Sequence, residues 1–220
     1  MSGLRATMRL YGLVKNLGST DDLHRQSVDI LCTLDRAGGK AIRAFVSRLD
    51  AELMTRGRGL EEYRVVPLRT FDPNPFIQEH QGWLKLHVCC GFVVPADQSL
   101  LNDGMLSPMG WYVYSDIGQW TAKHYIDFGP QMASLLQTSY DRIGLRDYNA
   151  VLNDLDSASD ADLKWQVAEA WQTLHTASSP DSHEDCHALF DPVDNRWCLV
   201  ETDVDIYQPH PEPQKQGALS

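Results

Sequence analysis

The sequence lacks any long apolar run. No segment approaches the roughly 18 consecutive apolar residues that a membrane-spanning helix needs. The first 17 residues carry Arg5, Arg9 and Lys15 and contain no continuous apolar core, so they match a secretory signal poorly. These two absences argue against a membrane-spanning or secreted chain and predict an intracellular, cytoplasmic protein.

Cysteine is scarce, and its spacing points away from disulfides. The chain of 220 residues has five cysteines, an odd number, and no Cys-x-x-Cys motif. Cys89 and Cys90 are adjacent, so on a strand they would face opposite sides of the sheet. A chain of this length with this pattern is typical of a protein with reduced thiols.

Motifs that name a reaction are also missing. There is no Gly-x-Ser-x-Gly, no phosphate-binding loop ending in Gly-Lys-Ser/Thr, and no Gly-x-Gly-x-x-Gly after a strand. His87 and Cys89 could form a nucleophile pair, but on one strand their side chains would run in parallel with no third group to orient them. Buried free cysteine normally behaves as a small apolar side chain, so a structural role is favoured.

Positive charge is in deficit and unevenly distributed. The net charge is −11, but residues 1–69 hold 12 Lys/Arg and 8 Asp/Glu, while the rest of the chain holds 7 and 22. So acidic a chain repels nucleic acid phosphates, which argues against a nucleic acid partner except through the basic 20–58 segment. The uneven charge distribution could also do no more than keep the protein soluble.

The longest nearly uncharged, β-rich stretch predicts a central strand. Residues 82–94 begin at a glycine, end before Pro95 and read as a strand buried on both sides. Strict alternation places Leu84, Leu86, Val88, Cys90 and Phe92 on one face and Trp83, Lys85, His87, Cys89 and Gly91 on the other. Both faces then need cover from helices.

Apolar residues at helical spacing predict helices that could cover the strand, both before it and after it in the chain. An N-cap near Ser19 and apolar residues at helical intervals predict a helical pair over 20–56. Pro130, Tyr148 and Ser159 open three further helices that form a cluster over 130–176. The two groups are expected to be the two layers that pack on the sheet.

Two hairpins complete the expected sheet. Residues 111–114 and 120–128 read as the arms of the first, and residues 187–190 and 197–207 as those of the second. Strands and helices are grouped without regular alternation, which predicts a single-domain α+β fold with a mainly antiparallel sheet. The domain covers 1–207, and the proline-rich residues 208–220 are expected to be a disordered tail.

One candidate metal site follows from histidine spacing. His183 and His187 are four residues apart with Asp185 between them, and imidazole and carboxylate together suit zinc or a similar divalent ion. The motif is not His-Glu-x-x-His, and further ligands would have to come from elsewhere in the fold. A solvated loop that leads into a strand explains the same residues, so the expectation is no cofactor, with a divalent metal such as zinc as the alternative.

The last strand carries an acidic stripe. Alternation puts Glu201, Asp203 and Asp205 on one face of that strand. Three carboxylates at this spacing repel one another unless a divalent cation, a basic partner protein or water compensates them. The stripe is therefore a candidate surface for a basic partner and, less specifically, for a metal.

Exposed aromatic residues are the remaining candidates. Trp165 lies off the apolar stripe of its predicted helix, about 160° from Leu163 at 3.6 residues per turn. Trp111 and Tyr112 are consecutive, so both faces of their strand are aromatic. Tryptophan and tyrosine are enriched where proteins bind one another, although a second core layer would use the same residues.

Together these patterns favour an acidic, intracellular protein-binding module, with an inhibitory, immunity-like or phosphate-mimicking role towards a partner with a basic surface. One alternative is a divalent-metal-dependent hydrolase or phosphodiesterase that uses the C-terminal carboxylates and histidines. Another is a self-assembling structural protein, in which the basic 20–58 segment of one copy meets the acidic half of the next.

Overall fold

The computed structural model describes residues 3–16, 28–35, 37–94, 100–102, 104–145, 147–174 and 186–201. Its strands are β1 (Tyr11–Asn16), β2 (Val28–Ile30), β3 (Cys32–Leu34), β4 (Lys40–Phe45), β5 (Arg64–Pro67), β6 (Trp83–Val94), β7 (Leu101–Asn102), β8 (Met105–Asp116), β9 (Cys186–Asp191) and β10 (Arg196–Glu201). Its α-helices are α1 (Arg48–Thr55), α2 (Asn74–Glu79), α3 (Gly129–Arg142), α4 (Tyr148–Ser157) and α5 (Asp160–Gln172), with a 3-10 turn at Leu68–Thr70. The grouping of these elements confirms the single-domain α+β fold.

Strand β6 is the centre of the sheet, as predicted. The antiparallel strand β8 pairs along almost the whole length of β6. On the other edge, β4 pairs in parallel with the first half of β6, and β9 pairs antiparallel with the second half. The sheet continues through β1 and β2 on one side and through β10 on the other. Among the described strands, every pair except β4–β6 is antiparallel, which confirms the mainly antiparallel sheet.

A β-bulge interrupts β6 and reverses its alternation. Cys89 faces Gly110 and Phe92 faces Pro108, so two residues of β6 stand against one residue of β8. Gly91 takes a positive φ of 68° within this bulge. Cys89 and Phe92 consequently lie in the same core cluster, and the prediction that Phe92 shares a face with Leu84 is wrong.

Each face of the sheet is covered by its own apolar cluster. The first cluster contains Leu86 and Val88 of β6, with apolar residues of α2 and α3 packed on them. The second contains Phe92 and Val94 of β6, with apolar residues of α1 and α5. The two-sided cover is confirmed, but the helices divide differently from the prediction, because α1 and α5 share a face.

The helical pair predicted for 20–56 is wrong over the residues that the structure describes. Residues 28–30, 32–34 and 40–45 are strands, and only α1 is helical; residues 17–27 lie outside the description. Strand β4 is buried on both faces, so its apolar residues are nearly continuous and also fit helical spacing. Ser47 then caps α1, because its Oγ accepts a hydrogen bond from the Asp50 backbone N–H at 3.3 Å.

The C-terminal half agrees with the sequence more closely. Helices α3, α4 and α5 begin within a residue or two of their predicted starts, and Asp147 and Ser159 cap the last two. None of the described helices is long and apolar enough to cross a membrane. The final hairpin, β9 and β10, also forms as predicted up to residue 201.

The hairpin predicted between 111–114 and 120–128 does not form. Strand β8 pairs with β6 and β7, and residues 120–128 contribute only an isolated bridge between Ile126 and Ala6. Trp120 is buried, and its indole N–H donates to the Gly3 carbonyl at 3.1 Å. The alternating pattern of 120–128 therefore reflects packing against the N-terminal segment rather than pairing in a sheet.

Candidate functional site

The described part of the C-terminal half presents an acidic helical segment, which we define as residues 147–174. It carries six carboxylates and one lysine, a net charge of −5. Two of the carboxylates form ion pairs with arginines of the N-terminal half: Asp156 with Arg9 at 2.6 Å and Asp160 with Arg48 at 2.7 Å. Within the described residues, the other four form no ion pair: Asp147, Asp154, Asp162 and Glu169. Most of the negative charge of this segment thus faces no internal cation.

Trp165 stands on the outer side of the acidic helical segment. It is 53% exposed, while Leu163, Val167 and Ala170 of the same helix are buried in the second core cluster. Asp162 and Glu169 lie three and four residues away along α5, which places them on the same helical face. A large aromatic surface is therefore bordered by negative charge.

Trp111 and Tyr112 are engaged within the sheet. Trp111 is half-buried and packs against the first core cluster. The Tyr112 ring stacks on His87 with centroids 4.7 Å apart, and its hydroxyl donates to the Leu34 carbonyl at 3.0 Å. Of the three aromatic candidates, Trp165 alone offers more than half of its side chain to solvent. A binding role for the other two stays a prediction.

The acidic stripe is described only at its start. Glu201 is the last residue of β10 and pairs with Cys186 of β9. Asp203 and Asp205 lie outside the described residues, as do His183, Asp185 and the predicted tail 208–220. The convergence of these carboxylates and histidines on one site is therefore still a prediction.

His187 is a buried strand residue. It lies in β9, not on a helix, so the helical i, i+4 argument does not hold at this residue. It is 6% exposed, and its Nε2 lies 2.7 Å from the Cys90 carbonyl oxygen, to which it donates as a neutral ring. Burial lowers the pKa of His187 to about 4. Among the described residues there is no group of three or more side chains that could hold a metal ion.

The His87 and Cys89 side chains are close together, but Cys89 is a thiol and His87 is a neutral imidazole, so the pair does not form a nucleophile. Cys89 Sγ lies 3.4 Å from His87 Nδ1. Burial raises the pKa of Cys89 to about 12 and lowers the pKa of His87 to about 4. The thiol and the neutral imidazole are thus both favoured over a thiolate–imidazolium pair. This geometry fits the structural role that the sequence favours.

A cleft that the N-terminal segment forms and that four arginines border was missed by sequence analysis. Its volume is about 570 Å³. Residues 4–11 form one wall, and the opposite side is built from β5, the 3-10 turn, the first residue of α1 and the C-terminal part of α4. We call it the arginine cleft, after the side chains that border it: Arg5, Arg9, Arg48 and Arg69. Their common origin in the basic first 69 residues was the one available signal.

A buried carboxylate organises part of the arginine cleft. Asp156 accepts hydrogen bonds from the Tyr11 hydroxyl and from Arg9, and its side chain is only 5% exposed. Burial, followed by the hydrogen bond to Asp156, raises the pKa of Tyr11, so the phenol stays protonated. Arg5 is fixed differently, because its guanidinium donates to the His124 carbonyl at 3.2 Å. The cleft thus has a cationic lining in which hydrogen bonds hold Arg5 and Arg9 in place.

Comparison with protein-family models, with curated proteins and with solved structures gave no match. Two surfaces of the described chain are therefore the functional candidates, the acidic helical segment and the arginine cleft.

Proposed function

We propose that this protein works by binding a partner protein with a basic surface, and that the acidic helical segment 147–174 is the contact surface with Trp165 at its centre. The observation that carries the proposal is the exposure of Trp165 beside Asp162 and Glu169, which have no ion pair within the described residues. An inhibitory, immunity-like or phosphate-mimicking role would use the same chemistry.

Charge and aromatic area contribute differently to such binding. Uncompensated carboxylates attract a basic surface over several ångströms and accelerate encounter. A tryptophan that becomes buried at the centre of an interface supplies much of the affinity and is among the commonest hot-spot residues. The combination on α5 therefore provides both the attraction and the apolar contact that a specific complex needs.

The cysteines are consistent with the proposed cytoplasmic location. All five are free, including the buried Cys89, Cys90 and Cys186. Unpaired thiols are typical of a reducing compartment. The alternatives are a metal-dependent hydrolase and a self-assembling protein. A capture experiment distinguishes self-assembly from the binding of a different protein.

Replacement of Trp165 by alanine is expected to weaken partner binding by about 30-fold or more, the usual loss at a tryptophan hot spot. The bait is the full chain, used to capture proteins from extracts of cells that express it natively. Captured proteins are then purified and titrated by calorimetry against wild type and the W165A variant.

Tyr125→Ala is the matched control, because Tyr125 is 55% exposed but lines the arginine cleft rather than α5. We expect a partner with a basic surface that Y125A retains and W165A loses. Equal capture by W165A and wild type would contradict the proposal. Capture of the chain's own copies alone would favour self-assembly instead.

A further inference from the structure

We propose that the arginine cleft binds a small phosphorylated organic molecule, with the phosphate held by Arg5 and Arg69 and the organic body against the apolar wall. The cleft is separate from the centre of the partner-binding surface, because Trp165 does not line it; the two surfaces meet at Asp156, which lines the cleft from the C-terminal part of α4.

Positive charge in the cleft exceeds what its own carboxylates compensate. Arg9 is paired with Asp156 and Arg48 with Asp160. Arg5 and Arg69 are exposed and form no ion pair within the described residues. Two guanidinium groups are therefore left over at one concave surface of a protein whose net charge is −11. A concave wall concentrates their field and attracts an anion from solution.

The positive charge of the two unpaired arginines matches a phosphate monoester better than a carboxylate. A phosphate monoester carries a charge of about −1.5 to −2 near pH 7, whereas a carboxylate carries a single charge. Guanidinium groups offer planar forks of N–H donors that fit phosphate oxygens two at a time. Two unpaired arginines can thus satisfy a dianion in both charge and hydrogen bonding.

The remaining lining suits a compact organic body. Met8 and, from β5, Val65 and Pro67 are partly exposed apolar residues that line the cleft, whereas Leu4 and Leu10 are buried in the first core cluster. Tyr125 adds an aromatic ring that is largely exposed. A volume of about 570 Å³ falls within the range of roughly 300–1,000 Å³ that is typical of small-molecule sites. A polymeric nucleic acid is disfavoured by the acidic charge of the rest of the chain.

Asp156 contributes preorganisation rather than ligand contact. It is buried and holds both Arg9 and the Tyr11 hydroxyl in place before any ligand arrives. Arginine has five N–H donors, so Arg9 keeps donors for a ligand after its bond to Asp156. Side chains fixed in advance lose less entropy on binding, which raises affinity.

The test is calorimetric titration of the full chain with four probes at low salt and pH 7.5. Phenyl phosphate presents the dianion with a ring, inorganic phosphate the dianion alone, benzoate a single charge with a ring, and phenol the ring alone. Phenyl phosphate is expected to bind most tightly, with a Kd of about 0.1–1 mM for a ligand of this size. Benzoate and inorganic phosphate should be weaker, and phenol should give no measurable binding.

Arg5→Gln and Arg69→Gln are each expected to weaken phenyl phosphate binding by about tenfold, the usual loss for a charge-assisted hydrogen bond. The matched control is Arg58→Gln, which removes an exposed arginine that does not line the cleft. The Arg69 side chain makes no hydrogen bond or ion pair within the described residues, so R69Q leaves the fold unchanged and carries the test.

Three results would overturn the proposal. The first is the absence of binding of phenyl phosphate up to about 10 mM, well above the expected Kd. The second is equal weakening by R58Q and R69Q, or equal affinity for benzoate and phenyl phosphate. The third is self-association of the wild-type protein, lost in R69Q and measured by sedimentation, which would assign the cleft to an acidic surface of a second copy.

Discussion

Replacement of Gly91 by alanine should lower the free energy of unfolding by about 2–5 kcal/mol. An added Cβ would lie 2.5 Å from the Ala188 carbonyl oxygen and 2.6 Å from His187 Nε2. The first of these atoms is backbone in the neighbouring strand β9, so it cannot move without disturbing the ladder. Overpacking of this kind costs about 1–3 kcal/mol, and the positive φ adds about 1–2 kcal/mol for any residue with a side chain.

Gly59→Ala is the matched control for this variant. Gly59 has a φ of 81°, close to the 68° of Gly91, but an added Cβ there would meet nothing within 4 Å. We expect G59A to cost only the backbone part, about 1–2 kcal/mol. Urea denaturation of both variants measures the difference. If G91A and G59A were equally stable, the tight bulge between β6, β8 and β9 would not exist as described.

Acidification should destabilise the protein strongly between pH 6.5 and pH 4 because two histidines are buried in neutral form. Burial lowers the pKa of both His87 and His187 to about 4. Since the unfolded chain binds protons near pH 6.5 and the folded one does not, the stabilisation is complete above pH 6.5 and is lost as the pH falls towards 4. Each histidine contributes about 3 kcal/mol over this window.

Asp50 acts in the opposite direction. It is buried, its Oδ2 accepts a hydrogen bond from the Gly91 N–H at 2.9 Å, and burial raises its pKa to about 6. The folded chain therefore holds a proton at Asp50 that the unfolded chain has released, so this residue makes stability fall as the pH rises from about 4 to 6. Its contribution of about 3 kcal/mol offsets roughly half of the combined histidine effect.

A His187→Gln variant isolates one of these contributions. Glutamine does not titrate and keeps an N–H donor for the Cys90 carbonyl, and Asp50 is present in both proteins. Urea denaturation at pH 7 and pH 4.5 should show that wild type loses about 2–3 kcal/mol more than H187Q does on acidification. The same loss in both proteins would mean that His187 is not a buried neutral histidine.

Strands and helices could be predicted from the sequence where nearby residues alone show which of their faces are buried. Strand β6 could be predicted because a long, nearly uncharged and β-rich stretch is typical of a central strand that is buried on both faces. Helices α4 and α5 could be placed because apolar residues recur at helical spacing in both, and Ser159 with the acidic residues after it marks the start of α5. These signals do not depend on the rest of the fold.

Elsewhere the decisive contacts are distant in sequence. The residues of strand β4 also fit helical spacing because both faces of the strand are buried, and only its pairing with β6 distinguishes the two structures. The bulge at Gly91 shifts the faces of β6 by one residue, which strict alternation cannot anticipate. Trp120 fits a strand pattern but packs on the N-terminal segment.

The candidate sites divide in the same way. The outward position of Trp165 follows from helical geometry alone, and the structure places it there. The arginine cleft could not be predicted, because Arg5, Arg48 and Arg69 come from three separate segments and Asp156 from a fourth. These residues come together only in the folded chain, so no local sequence pattern predicts the cleft.

The most direct test of the partner-binding account is the salt dependence of the affinity for a purified partner, compared between wild type and an Asp154→Asn/Asp162→Asn double variant. Both carboxylates lie on the acidic helical segment and form no ion pair within the described residues. We expect the wild-type Kd to rise steeply with salt, and the double variant to bind more weakly at low salt with a shallower dependence. An affinity that is independent of salt and identical in the two proteins would contradict the account.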